Sequence, residues 1–255
     1  MLNQNFKTIL INVSIIGAVF FIFEYLPVKN RASASEIELI IWEGSSVREI
    51  NSLLHDRGIL NPAANLWDTE QSLEGYLFPD TYRFYKNSDS PSVLKRFFDN
   101  FKIKAEPFLN QDPTNFHRNL ILASLIEKEV PDFSDRKIVA GILLKRLATG
   151  MPLQVDATLC YLKNHTPPYV DEEIKSCYPI TTADKKYDSP FNTYLYSGLP
   201  VAPISNPGLA AIKSVLAAED SPYWFYLSDP KTNRTIFSRT LAEHNSNRVR
   251  YLSKK

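Results

Sequence analysis

A chain of 255 residues, 44% hydrophobic and 12% aromatic, is long enough for one or two globular domains with a real core. Its net charge of +1 leaves no electrostatic footprint for nucleic acid. The eight Gly and seventeen Pro are scattered, and neither an internal repeat nor a low-complexity tract is present.

The first segment with a clear character runs from Thr8 to Leu26, where Ile, Val, Phe, Leu and Ala dominate and only Asn12, Ser14 and Glu24 interrupt. As a helix it would just cross a hydrocarbon core of about 30 Å. A single uncleaved anchor is therefore expected over 8–26, with a short cytoplasmic tail at 1–7 and a linker at 27–35. A cleaved secretory signal is the alternative, since Ala32-Ser33-Ala34 offers a small-residue site. Lys7 stands on one side and Lys29 and Arg31 on the other, so charge does not orient the helix. If the N-terminus stays in the cytoplasm, the body lies outside it.

Next comes Ile37-Glu38-Leu39-Ile40-Ile41-Trp42, an alternating strand pattern, with Glu43-Gly44-Ser45 as turn and cap. Val47, Ile50, Leu53 and Leu54 recur at helical spacing, and Gly58 closes that helix. The segment Leu73 to Tyr82 is aromatic and turn-rich. Helices are then expected over 92–109, 115–130 and 134–148, with Ser134 as an N-cap. From Leu153 to Pro207 the chain reads as one long irregular stretch, too rich in Tyr, Phe, Leu and Pro for disorder and suited to lining a groove. A helix over 209–218, strands at 223–227 and 235–237, and a last helix over 241–252 complete an α+β pattern. Cys160 and Cys177 suit either a disulfide in an oxidising compartment or two free thiols. Four scattered His and no Cys/His cluster argue against a zinc site, and no metal or other cofactor is expected.

One acidic residue stands out. Glu129 shares a helical face with Leu122, Leu125 and Ile126, and Pro131 places it in the last turn. Burial and the helix dipole both favour its neutral form, which is what a general acid needs. The alternative is an ordinary helix-end carboxylate paired with Arg or Lys. Glu127, two positions earlier, is expected on a solvated face.

Several motifs follow in order: Leu153-Gln154-Val155-Asp156-Ala157-Thr158, Ser189-Pro190-Phe191-Asn192-Thr193-Tyr194, Ser197-Gly198-Leu199-Pro200, Ala202 to Gly208, Tyr223-Trp224-Phe225-Tyr226 and Glu243-His244-Asn245. With Glu127-Lys128-Glu129 and the Glu74 to Tyr82 segment, this order resembles the endolytic murein transglycosylases, the MltG or YceG-like family, from about Leu73 to Leu252. The resemblance implies an enzyme held in the inner membrane by one N-terminal helix, with a LysM-like module and a catalytic domain outside the cytoplasm. It places the module at 36–72, reduced because the run 62–71 is short, and the catalytic domain at 73–255. It also implies partners: peptidoglycan glycan strands, the inner membrane and proteins of cell-wall synthesis. In two places the chain departs from the family pattern: Phe191 stands where Tyr is usual, and Thr235 precedes Phe237 where His is often found.

By the same resemblance, Glu129 is the catalytic acid. A lytic transglycosylase needs one carboxyl group, where ordinary glycosidases use two. Gln154, Asn192 and Thr193 carry donors and acceptors for sugar hydroxyls and N-acetyl groups, and Tyr194 offers a ring face. Asp156 would orient Glu129 or stabilise positive charge, and Glu74 is a further groove candidate. For Asp156, Asn192 and Thr193 a purely local role in capping turns remains open. Tyr223 to Tyr226 read mainly as core. A lysozyme-type hydrolase using Asp156 or Asp188, and a tethered glycan-binding scaffold without turnover, are the rival readings.

Overall fold

The computed structural model describes residues 36–66, 72–130, 132–165 and 177–252. The expected anchor over 8–26, with its flanks, lies outside them. Among the described residues no helix is long and apolar enough to cross a membrane.

The architecture is α+β, with two small antiparallel sheets and a helical body. Strand β1 (Glu36–Ile40) pairs with β2 (Thr81–Tyr85) in the register Glu36 opposite Tyr85 and Ile40 opposite Thr81. Between them lies α1 (Val47–Asp56), whose N-cap Ser46 forms a capping box with Glu49. Helix α2 (Ser90–Lys104) follows, started by Asp89, whose carboxylate accepts from the Ser92 N–H. These pieces share one core that includes Leu39, Ile50, Leu54, Leu77, Phe84, Val93 and Phe97. Leu77 and Phe84 lie beyond the boundary expected at 72–73, which therefore cuts through this core. A strand and one helix bury too little surface alone, and β2 and α2 supply the remainder.

The second core is built around α4 (Phe116–Glu129), reached through α3 (Glu106–Leu109) and a short 3-10 turn. Residues Asn119 to Ile126 of α4 are buried without interruption, so this helix is central and lacks a solvated face. Around it pack α5 (Phe133–Ala148), α6 (Asp156–His165) and α7 (Leu209–Leu216). Helix α5 is capped by Asp132, whose carboxylate accepts from the N–H groups of Ser134 and Asp135; Ser134 is inside the helix, not its cap. Helix α6 falls within the stretch expected to be irregular. Its residues 157–160 are buried in succession, so that stretch shows no alternation of buried and exposed positions for the sequence to reveal. The hairpin of β3 (Phe225–Ser228) and β4 (Thr235–Ser238) carries α8 (Leu241–Leu252), which packs on those two strands and buries none of its residues fully.

The two cores meet at Asn206. Its amide donates to the Ser45 carbonyl at 2.8 Å and to Glu74 at 3.3 Å, while its side-chain oxygen accepts from the N–H groups of Gly75 and Leu77. Main-chain bonds between Gly44 and Asn206, and between Asn206 and Ser45, close the junction. Glu127 belongs to the same seam. It forms an ion pair with Arg136 at 2.7 Å and accepts from the Gly208 N–H at 2.9 Å, with only 5% of its side chain exposed. The solvated position expected for Glu127 is thus overturned: the seam needs both its oxygens.

Gly141 on α5 faces the Glu219 carbonyl so closely that an added Cβ would lie 1.9 Å from that oxygen. Gly141→Ala should therefore force α5 away from the turn after α7, at a cost of about 1–3 kcal/mol. Urea unfolding reads this as a lower midpoint at unchanged slope.

Candidate active site

Glu129 ends α4 at the floor of a cleft of about 1030 Å³. The walls come from the loop before α6 (Leu153, Gln154, Asp156), from Tyr178 to Ile180, from Lys185 and Tyr194, from the β3–β4 hairpin, and from one face of α8. Part of Glu129 opens to the cleft, but the protein around its carboxyl group excludes most water. Burial pushes its pKa up to about 7, and the charge of Asp156 pushes the same way. Two hydrogen bonds oppose them: the Ala157 N–H donates to Oε1 at 3.3 Å, and the Tyr226 hydroxyl donates to the carboxyl group. The first of these brings the N-terminus of α6 against the C-terminus of α4. The unfavourable dipole of one helix end is thereby offset by the favourable dipole of another. Desolvation and Asp156 decide the outcome, so near pH 7 the acid and carboxylate forms are comparably populated.

Asp156 accepts the hydroxyl proton of Tyr194, and the Lys185 ammonium lies 4.5 Å from the centre of the Tyr194 ring. Burial is the largest cause, and Asp156 the next, of the raised pKa of Tyr194, which keeps this phenol protonated. Gln154 is exposed in the cleft with φ +54, its N–H held by the Thr193 carbonyl at 3.0 Å. That left-handed geometry presents the amide outward from a main chain fixed on both sides.

Three candidate sugar contacts lie elsewhere in this structure, and for Asn192 and Thr193 the local role left open above is the one observed. Asn192 is fully buried: its amide donates to the carbonyls of Lys185 and Tyr187, and its oxygen accepts from the Tyr194 N–H. Thr193 is 2% exposed and binds the Val155 N–H and the Thr158 hydroxyl. Both side chains are consumed in shaping the loop that presents Gln154, Asp156 and Tyr194. Glu74, 4% exposed, lies in the seam, where it accepts from the Val47 N–H at the start of α1 and from Asn206. Burial lifts its pKa to about 8, and it does not line the cleft.

Sequence reasoning missed Tyr226 and Arg146. The Tyr223 to Tyr226 run alternates as a strand does, but Phe225 and Tyr226 both reach the cleft. Arg146 on α5 donates to the Trp224 carbonyl through two nitrogens and to the Leu153 carbonyl at 2.7 Å, joining the hairpin to the Gln154 loop. Nothing in the spacing of α5 marks it, because its partners are main-chain carbonyls distant in sequence. Cys160 and Cys177 form a disulfide, which ties α6 to the wall that begins at Tyr178.

The match to the YceG-like family model covers residues 22–250. The chain belongs to the YceG-like family. It is 32% identical over 188 residues to the endolytic murein transglycosylase of Bacillus subtilis, covering 72% of this chain and 49% of that protein. Against the endolytic murein transglycosylase of Streptococcus pneumoniae serotype 2 the identity is 27% over 186 residues, covering 72% and 33%. The chain thus spans about half, or a third, of the length of these curated relatives. A crystal structure of a yceG-like protein from Listeria monocytogenes superposes with a TM-score of 0.66 at 29% identity, covering 86% of this chain and 77% of that one.

The two neighbours of Glu129 should move its titration in opposite directions. Asp156→Asn removes a negative charge and should lower the pKa of Glu129. Tyr226→Phe removes a donor to the carboxylate and should raise it. Carboxyl-carbon NMR titration of Glu129 in the two variants reads both shifts.

Proposed function

We propose that this chain is a lytic transglycosylase that cuts peptidoglycan glycan strands internally, with Glu129 as its acid. The observation that carries this reading is the Glu129 carboxyl group, lifted to about pH 7 by burial, on the floor of a cleft that Tyr178, Tyr194 and Tyr226 help to line. In the reaction Glu129 gives its proton to the oxygen linking MurNAc to GlcNAc. The C1–O bond breaks, and the GlcNAc side leaves with a free 4-hydroxyl. The 6-hydroxyl of the same MurNAc then closes on C1, and the Glu129 carboxylate takes up its proton. Glu129 ends protonated as it began, no water is consumed, and the product terminates in 1,6-anhydro-MurNAc. Because the nucleophile is part of the substrate, positioning supplies much of the rate. Gln154, Asp156 and Tyr194 are the residues proposed to hold the sugar.

The names of the relatives support this reading, as does the match over residues 22–250. The apolar run 8–26 supports an anchor in the inner membrane with the cleft on the outer side, close to newly made strands and the proteins that make them. The β1–α1–β2 unit is proposed to be a reduced LysM-like module.

Glu129→Gln should abolish cleavage, a drop of at least a thousandfold, while the protein stays folded. Digestion of isolated sacculi followed by mass analysis decides the chemistry. Anhydro ends are one water lighter than hydrolytic ends, so a product set holding only the heavier species would make the enzyme a lysozyme-type hydrolase. For the parent, kcat/KM should fall tenfold per pH unit above about pH 7, as Glu129 loses the proton it must donate. Asp156→Asn should bring that fall to lower pH.

A further inference from the structure

Four basic side chains line the cleft: Lys128, Arg146, Lys185 and Arg248. Two of them are committed to the main chain, Lys128 to the Gly44 carbonyl at 3.1 Å and Arg146 to the carbonyls of Trp224 and Leu153. Lys185 and Arg248 are not. Neither takes part in any of the ion pairs among the described residues. They also stand on different walls. Lys185 belongs to the 3-10 turn Asp184–Lys186 and lies over the Tyr194 ring. Arg248 sits on α8, on the helical face that also turns Leu241, His244 and Leu252 toward the cleft.

The acidic groups of the cleft do not neutralise this pair. Below about pH 7 Glu129 is largely uncharged, which leaves the carboxylates of Asp156 and Asp229 against four cations. Asp156 accepts from the Tyr194 hydroxyl and Asp229 from the Lys231 N–H and the Thr232 hydroxyl, and neither forms an ion pair with Lys185 or Arg248 among the described residues. His244, whose pKa is lowered by burial and then by Arg248 and Arg146, adds no competing anion. The cleft therefore carries a surplus of positive charge, and the two cations outside the ion pairs among the described residues come from different elements of its wall. A glycan whose muramic carboxyls are all amide-linked to peptide is itself neutral, and its negative charge resides on the attached peptides.

The geometry points to Lys185 and Arg248 as the residues that recognise carboxylates of the stem peptide carried by MurNAc, so that the cleft selects peptide-bearing strands. This deepens the proposed function and rests on it. The two cations are specificity residues that need not touch the reacting atoms. Tyr194 and the apolar face of α8 would meet the sugar and the peptide backbone between them.

The test uses binding, so that it does not depend on turnover. In a Glu129→Gln background, Kd is measured for three strand preparations: peptide-bearing, peptide-bearing with the carboxylates converted to amides, and denuded strands that keep only the lactyl carboxylate. Peptide-bearing strands should bind roughly tenfold more tightly than amidated ones, with the difference shrinking as salt rises past 0.1 M, where the Debye length is about 10 Å. Lys185→Gln and Arg248→Gln should each weaken binding of the peptide-bearing strands by about threefold to fivefold, and the pair should remove most of the discrimination. Equal Kd values for native and amidated strands would overturn the inference. So would variants that weaken both alike, or denuded strands that bind as tightly as peptide-bearing ones. Cleavage by the parent enzyme, scored separately on the same strands, reports on the proposed function alone.

Discussion

The site depends on one constraint: a carboxyl group held where the end of α4 meets the beginning of α6. Glu129 cannot move toward water without losing the Ala157 N–H and the Tyr226 hydroxyl, and it cannot ionise fully without facing Asp156 across a poorly solvated gap. Burial and the like charge of Asp156 outweigh the two hydrogen bonds, and the group titrates near neutrality. Such a balance is reached by geometry, because a surface carboxylate on the same helix would have stayed ionised. The central position of α4 supplies that geometry. A helix buried from Asn119 to Ile126 has little freedom to tilt, so its last turn arrives at a fixed place.

Glu127 and Glu129 show how two carboxylates two residues apart acquire different duties. The side chain of Glu127 is closed in by Arg136 and the Gly208 N–H and serves the seam between the two cores. Glu129, some 200° round the helix, faces the cleft and meets the Ala157 N–H, the Tyr226 hydroxyl and one like charge. Breaking the Glu127–Arg136 pair would leave a buried charge unmatched, which costs far more than the pair itself contributes. The two carboxylates thus differ in surroundings: Glu127 is held by an ion pair and a main-chain N–H, and Glu129 is desolvated beside a like charge.

Much of this was legible from the residues. The strand expected at 37–42 and observed at Glu36–Ile40, the α4 stripe ending in Glu129, the helix expected over 209–218 and observed at Leu209–Leu216, and the late hairpin all carry periodicity that sequence can show. Helix α6 does not, because its first turn is buried at four successive positions, which erases there the contrast on which periodicity depends. For Asn192, Thr193 and Glu74 the residues alone left two roles open, for a related reason. A polar side chain that binds sugar and one that binds the backbone look alike until the loop is folded, and here all three satisfy main-chain groups. Tyr226 and Arg146 escaped because their partners are distant in sequence. That β2 returns to β1 across the expected 72–73 boundary is a pairing that local pattern cannot reveal.

The junction at Asn206 has a practical corollary for anyone cutting this protein into pieces. A fragment that starts at residue 73 would lose β1 and α1, strip the capped end from Glu74 and leave Leu77, Phe84 and Phe97 facing solvent. Such a truncation would be expected to precipitate instead of yielding a smaller working enzyme, because the front unit is an inner lining of the whole body and not a detachable appendage.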